Sequence, residues 1–151
     1  MKITGAIFDM DGTLTDSMTM WRTLRQRYVR YKGCEPEENL DKKLAEMGWE
    51  ESYDYLRKTY GIAIESDSEM YEDMKGYVAY YYKNEVALKK NVKELLEYLH
   101  GKGVKMCLAS ATDRWLCEMA LEHCGIRHYF SELYGAPEFG KDKHSPDMFE
   151  A

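Results

Sequence analysis

The sequence predicts an α/β fold, a parallel sheet core interrupted by an all-helical insertion. Three observations carry this. Two short apolar runs, Ile3–Phe8 and Val104–Ala109, each stop at polar residues that lead into a helical pattern. A third segment, "ELYGA", follows the second helix and has strand character. No strand signal occurs between Ser17 and Asn84. Strand, helix, strand, helix, strand is the order of a parallel α/β sheet. The expected core is therefore residues 1–16 with 85–151, and the expected insertion is residues 17–84.

Taken in order, Ile3–Phe8 reads as a short buried strand with Gly5 its single interruption. Asp16 or Ser17 is placed to cap one continuous helix, whose stripe Met20, Trp21, Leu24, Tyr28 and Tyr31 has helical spacing and which Gly33 would end. "EENLDKKLAEM" and "ESYDYLRKTY" are two further helices separated by Gly48, the second closed by Gly61. Ser66 and Glu69 stand at capping-box spacing before a long helix rich in Met and Tyr, read as core-forming. Asn91 is the expected cap of "VKELLEYLH", with Val92, Leu95, Leu96 and Leu99 as its buried stripe. Ser145-Pro146 has the form of a cap followed by proline in the first helical turn.

Composition narrows the function. With 13 Tyr, 3 Trp and 4 Phe in 151 residues the chain has ample material for a core. A net charge of −6 argues against a nucleic-acid partner, which needs a basic footprint. No run is apolar for the roughly 20 residues that a bilayer requires, and "MKITGAIFDM" is too soon acidic for a signal peptide. The four cysteines, Cys34, Cys107, Cys117 and Cys124, show no CxxC spacing, so a reduced, cytoplasmic chain is expected. Oligomeric state is not legible.

The chemistry concentrates in "FDMDGTLTDS", residues 8–17. Asp9 and Asp11 stand two apart just beyond a strand, with Gly12 and Thr13 next. Two carboxylates so close repel unless a cation or phosphoryl group sits between them. In open parallel sheets ligands bind beyond the carboxyl ends of the strands. Three polar clusters fall there: Asp9 and Asp11, Ser110 to Thr112, and the segment from Lys141 to Lys143. An aspartate can attack phosphorus to form an acyl phosphate, and a second can protonate the leaving oxygen and later activate water. Main-chain N–H groups near Gly12 and Ala111, with the Ser110 hydroxyl, suit phosphate oxygens, and a lysine suits developing charge. Taken singly each feature is ordinary: an acidic pair facing solvent, Ser110 or Thr112 capping a helix, surface lysines, His123 and His128 as structural residues. Their order along the chain is what distinguishes them.

That order resembles the haloacid dehalogenase-like superfamily. "FDMDGTLTDS" is similar to its first motif, "VKMCLASAT" to its second, and "GKDKHSPDMF" to its third. The helical insertion between the first two resembles the cap of the phosphoglucomutase/phosphatase branch, and the core would then be Rossmann-like. The resemblance implies Asp9 as nucleophile, Asp11 as general acid/base, and Ser110 as a phosphate ligand. Lys143 would be the charge-stabilising lysine, with Lys141 its rival two residues away. It also implies Mg²⁺ held in part by Asp9 and Asp11, and a small phosphorylated metabolite as substrate. The acidic pair of the fourth motif has no counterpart before Ala151, so the sequence reads as a fragment lacking the last part of the core. The second aspartate favours phosphoryl chemistry over dehalogenation. Trp49, Glu50 and Glu51 in what reads as a cap loop, where the mutases carry a basic residue, favour a phosphatase over a sugar-phosphate mutase. A Schiff-base phosphonatase would need a buried cap lysine, which nothing marks. A non-catalytic module that binds phosphate or a partner is the reading from another class.

Overall fold

The computed structural model describes residues 3–47, 49–63 and 66–135. It divides into two compact units: residues up to Ser17 together with those from Tyr80 onward, and Met18–Ala79 between them.

The first unit is a parallel sheet with helices. Strands β1 (Gly5–Phe8), β2 (Lys105–Ser110) and β3 (Glu132–Gly135) lie in the order β1-β2-β3. Phe8 pairs with Leu108 and Ser110 with Gly135, which aligns the carboxyl ends of all three strands. The central strand is paired on both sides and covered on both faces, so Met106, Leu108, Ala109 and Ser110 are all buried. β1 departs from the expected buried strand. Among the described residues it pairs only with β2, and Ile7 is 54% exposed. An apolar pattern alone cannot say how many neighbours a strand has. Phe8 and Phe130 meet edge-on, ring centroids 6.1 Å apart. The Ser131 N–H and hydroxyl both donate to the Met106 carbonyl (2.9 and 3.1 Å), which sets the start of β3 against β2.

Helices α6 (Val92–Gly101) and α7 (Arg114–His123) connect the strands. α7 buries Leu116, Cys117, Ala120 and Leu121 along one stripe; each buried leucine contributes about 1.5–3 kcal/mol. On α6, Val92 and Leu96 are buried but Leu95 is 46% exposed, so the expected four-residue stripe is narrower than its spacing implied. Asn91 occupies the cap position of α6 without a side-chain capping bond; it adopts φ = 65°, the left-handed geometry that asparagine tolerates. The antiparallel bridge Thr15–Leu88, flanked by the bonds Asp16 N–H to Ala87 O and Lys89 N–H to Leu14 O (both 2.9 Å), joins the two segments that border the insertion.

In the second unit every regular element among the described residues is a helix. Instead of one helix after Ser17 there are two, α1 (Met18–Arg22) and α2 (Leu24–Tyr31). The break falls at Thr23, whose hydroxyl turns back to the Thr19 carbonyl (2.7 Å), while Asp41 accepts the Arg25 and Gln26 N–H groups that open α2. Asp41 lies on α3 (Leu40–Ala45). α4 (Trp49–Tyr60) begins two residues before the expected helix, so Trp49, Glu50 and Glu51 form its first turn rather than a loop. Ser66 accepts the Glu69 N–H (3.1 Å) near the start of α5 (Asp67–Asn84), as its spacing predicted. The stripe on α2 is partly core: Tyr28 is fully buried but Tyr31 is half exposed. Tyr28 donates to Asp73, which also pairs with Lys32. Burial first, then the Asp73 carboxylate, push the Tyr28 hydroxyl far above its ordinary pKa. It stays a neutral donor.

Candidate active site

The site begins where β1 ends. The chain wraps around the buried Met10, whose carbonyl accepts the N–H groups of Thr13, Leu14 and Thr15 (3.2, 2.9 and 3.0 Å) and the Thr15 hydroxyl (3.1 Å). Gly12 sits in this turn at φ = 80°, a conformation costly for any residue with a Cβ. Its N–H donates to the Thr15 carbonyl (3.0 Å). Gly12 therefore supplies backbone shape; its own N–H is engaged in the turn rather than offered to a phosphate. The stretch from Asp11 to Thr15 is a turn rather than a helix N-terminus.

The turn gives the two carboxylates separate supports. Asp9 Oδ2 accepts the Thr13 hydroxyl at 2.8 Å. Asp11 Oδ1 accepts hydroxyls from Ser17 and Tyr82, both at 2.6 Å, and Asp11 Oδ2 accepts the Thr112 hydroxyl at 2.8 Å. Ser17, expected as a helix cap, spends its hydroxyl on Asp11 and lies 3.0 Å from the Thr15 hydroxyl. Thr112 is the bridge between strands: it carries β2's end to Asp11, and its N–H donates to the buried Ser110 hydroxyl (3.1 Å). Ala111, between them, is exposed.

The structure thus brings Asp9, Asp11, Gly12, Ser110 and Ala111 to the carboxyl ends of adjacent strands. Lys141 and Lys143, and the Ser145-Pro146 cap, lie outside the described residues. Sequence reasoning missed Tyr82 altogether, read Ser17 only as a cap, and placed Thr112 in the strand-end cluster without its bond to Asp11. Thr112 had a signal, a hydroxyl just past a strand end. Tyr82 had none, standing 71 residues from Asp11 among consecutive tyrosines.

A thiol nucleophile has little support. All four cysteines are free, and burial pushes Cys124 up to about 11. Burial, with Glu132 adding to it, raises Cys107 as well. Such thiols hold little thiolate near neutrality. Among the described residues no group of three or more His, Cys, Asp or Glu could hold a metal ion, and no helix is long and apolar enough to cross a membrane. The oxygen donors at the turn still suit a hard cation, which commonly takes few protein ligands beside water and substrate. Asp11's carboxylate is engaged by three hydroxyls, so the Asp9 carboxylate and the Asp11 main-chain carbonyl are the oxygens at this turn whose chemistry suits such a cation.

A parallel sheet whose first strand ends in paired, separately supported carboxylates agrees with the sequence profile of the haloacid dehalogenase-like hydrolases, which matches residues 6–151. The chain belongs to that family. It is similar to a phosphoglycolate phosphatase of Aquifex aeolicus, 28% identical over 151 residues, covering 93% of this chain and 64% of the relative. It is also similar to a candidate pyrophosphatase, PpaX, of Caldanaerobacter subterraneus, 26% identical over 152 residues, covering 97% and 64%. The chain therefore spans just under two thirds of the length of these curated relatives. Among solved structures, the fold matches CbbY from Rhodobacter sphaeroides in complex with phosphate, with a TM-score of 0.67, 19% identity, and coverage of 99% and 70%.

Proposed function

We propose that this chain carries the phosphoryl-transfer centre of a phosphoric monoester hydrolase acting on a small phosphorylated metabolite. One observation carries the reading: adjacent carboxylates at the end of β1 are held by different partners, Asp9 by Thr13 and Asp11 by Ser17, Tyr82 and Thr112. Groups held apart in this way can take different parts in one reaction.

In the first step an Asp9 oxygen attacks phosphorus, the ester P–O bond breaks, and the leaving oxygen takes a proton from Asp11. The products are an alcohol, an aspartyl phosphate on Asp9 and an Asp11 carboxylate. In the second, Asp11 takes a proton from water as the water oxygen attacks phosphorus. The Asp9–phosphorus bond breaks, and inorganic phosphate leaves. Ser110 and the main chain at Ala111 are assigned to phosphate oxygens, and Lys143, or Lys141, to the developing charge. Mg²⁺, held by Asp9 and the Asp11 carbonyl, would neutralise phosphate charge. The helical unit is assigned the role of a cap that selects substrate, and the free cysteines fit a reducing compartment such as the cytoplasm.

The phosphoglycolate phosphatase relative supports hydrolysis. A likeness to a Thermotoga maritima protein assigned as a β-phosphoglucomutase (TM-score 0.76, 20% identity) supports the fold, and keeps the mutase as the second reading. A mutase must hold two phosphates, and the acidic first turn of α4 works against the second. The test is turnover of p-nitrophenyl phosphate with Mg²⁺ by the full chain and by Asp9→Asn. Asparagine is nearly isosteric but cannot form the acyl phosphate, so the variant should fold and lose at least ~10³-fold in rate. Retained turnover in Asp9→Asn sinks the mechanism. A folded wild-type chain that binds phosphate without turnover supports the binding-module reading instead.

A further inference from the structure

The phosphatase reading gives Asp11 a proton to move but does not say which oxygen moves it. We propose that Tyr82 and Ser17 are positioning residues that anchor Asp11 through Oδ1, leaving Oδ2, partnered by Thr112, as the oxygen that exchanges the proton.

Hydrogen-bond capacity distinguishes the two oxygens. A carboxylate has about four lone-pair sites, two on each oxygen. Oδ1 accepts two hydroxyls at 2.6 Å, from Ser17 and Tyr82, and is saturated. Oδ2 accepts one, from Thr112 at 2.8 Å, and keeps a site for a proton. The anchors are rigid. Ser17 and Tyr82 are both fully buried, and the Tyr82 ring packs against Tyr81 with centroids 5.8 Å apart. Ser17 is held on its other side by the Thr15 hydroxyl, which itself bonds the Met10 carbonyl at the hub of the turn. The anchoring oxygen is thus wired into the turn that also carries Asp9. Thr112 comes from a different element, the end of β2, where Ser110 fixes its main chain. A hydroxyl can rotate to accept as well as donate, so Thr112 can follow Oδ2 through both of its protonation states. A side chain pinned at one oxygen and responsive at the other keeps its direction while the proton comes and goes.

Tyr82→Phe removes the anchor while keeping the ring, its burial and its contact with Tyr81. The variant and wild type, each as the whole 151-residue chain, are compared on two esters, an alkyl phosphate and p-nitrophenyl phosphate. An alkoxide needs a proton to leave and a nitrophenolate does not, so in kcat/KM, which reports the first step alone, a mispointed acid penalises only the alkyl ester; the second step, where Asp11 is the base, is common to both. The expected result is a fall of ~10-fold or more in kcat/KM for the alkyl ester and under ~3-fold for the nitrophenyl ester. Thr112→Val, which keeps shape and loses the hydroxyl, should show the same selective loss. A crystal structure of Tyr82→Phe should show the Asp11 carboxylate rotated about its side-chain torsions.

Equal losses on both esters would mark Tyr82 as merely structural, and no loss on either would remove it from the site; each overturns the proposal. So does an Asp11 carboxylate unmoved in the variant's crystal structure. A wild-type chain inactive on both esters defeats the phosphatase reading and with it the proton transfer. The crystal structure still decides whether Tyr82 anchors Asp11.

Discussion

Gly135 ends β3 opposite Ser110, and nothing about its backbone conformation demands glycine. Space does. A Cβ at this position would lie 2.6 Å from the Arg114 nitrogen, 3.0 Å from the Thr112 carbonyl oxygen and 3.2 Å from the Arg114 Cα, all backbone atoms. The first distance is about 0.8 Å short of an ordinary contact. Backbone cannot swing aside as a side chain can, so Gly135→Ala must push the strand end and the Thr112–Arg114 segment apart. Overpacking of this kind costs about 1–3 kcal/mol. At roughly 2–4 °C per kcal/mol for a chain of this size, a 2 kcal/mol loss lowers Tm by about 4–8 °C. The same displacement reaches the site. If it passes undiminished to Thr112, the 2.8 Å bond to Asp11 lengthens to about 3.6 Å and ceases to be a hydrogen bond. Gly5→Ala is the matched control in the same sheet. Its Cβ would meet only the Lys105 carbonyl oxygen at 3.7 Å, an ordinary contact, and its Tm should hold or rise slightly. Thermal unfolding followed by circular dichroism, with initial rates measured well below Tm, tests both. A Gly135→Ala Tm within 1 °C of wild type, or as little changed as that of Gly5→Ala, would refute the steric reasoning.

Two further expectations follow from the same geometry. Burial alone would raise Asp73, but its hydrogen bonds to Lys32 and Tyr28 outweigh burial and hold it below the usual aspartate range. A depressed carboxylate stabilises the fold above its unfolded value and loses that contribution as pH falls through the folded one. Wild-type Tm should therefore drop below about pH 4 more steeply than that of Asp73→Asn, and parallel slopes would show that the pair is not linked to folding. If the chain is a hydrolase, glucose 1-phosphate with a bisphosphate primer should yield inorganic phosphate and no glucose 6-phosphate; rapid interconversion seen by ³¹P NMR would favour the mutase.

Much of the molecule was legible in the chain because local physics decided it. Period-two and helical patterns, a glycine after paired aspartates and a Ser-x-x-Glu cap report on neighbours a few residues apart, and β2, α7 and the start of α5 formed where those signals stood. The Asp9–Gly12 stretch stood out for the same reason, two carboxylates and a glycine within four residues. Tertiary structure decided what depends on distant partners. Thr23 broke one expected helix into two because its hydroxyl folded back on Thr19 while Asp41, on another helix, took the opening N–H groups of α2. Ile7 lies 54% exposed and Leu95 46%, since an apolar pattern marks a face without saying what covers it. Gly12, expected to offer its N–H, spends it closing a turn on Thr15. Asp11's surroundings were least legible of all. Its partners lie 6, 71 and 101 residues away, and hydroxyls so far apart converge on one carboxylate only after the sheet and the last turn of α5 have folded.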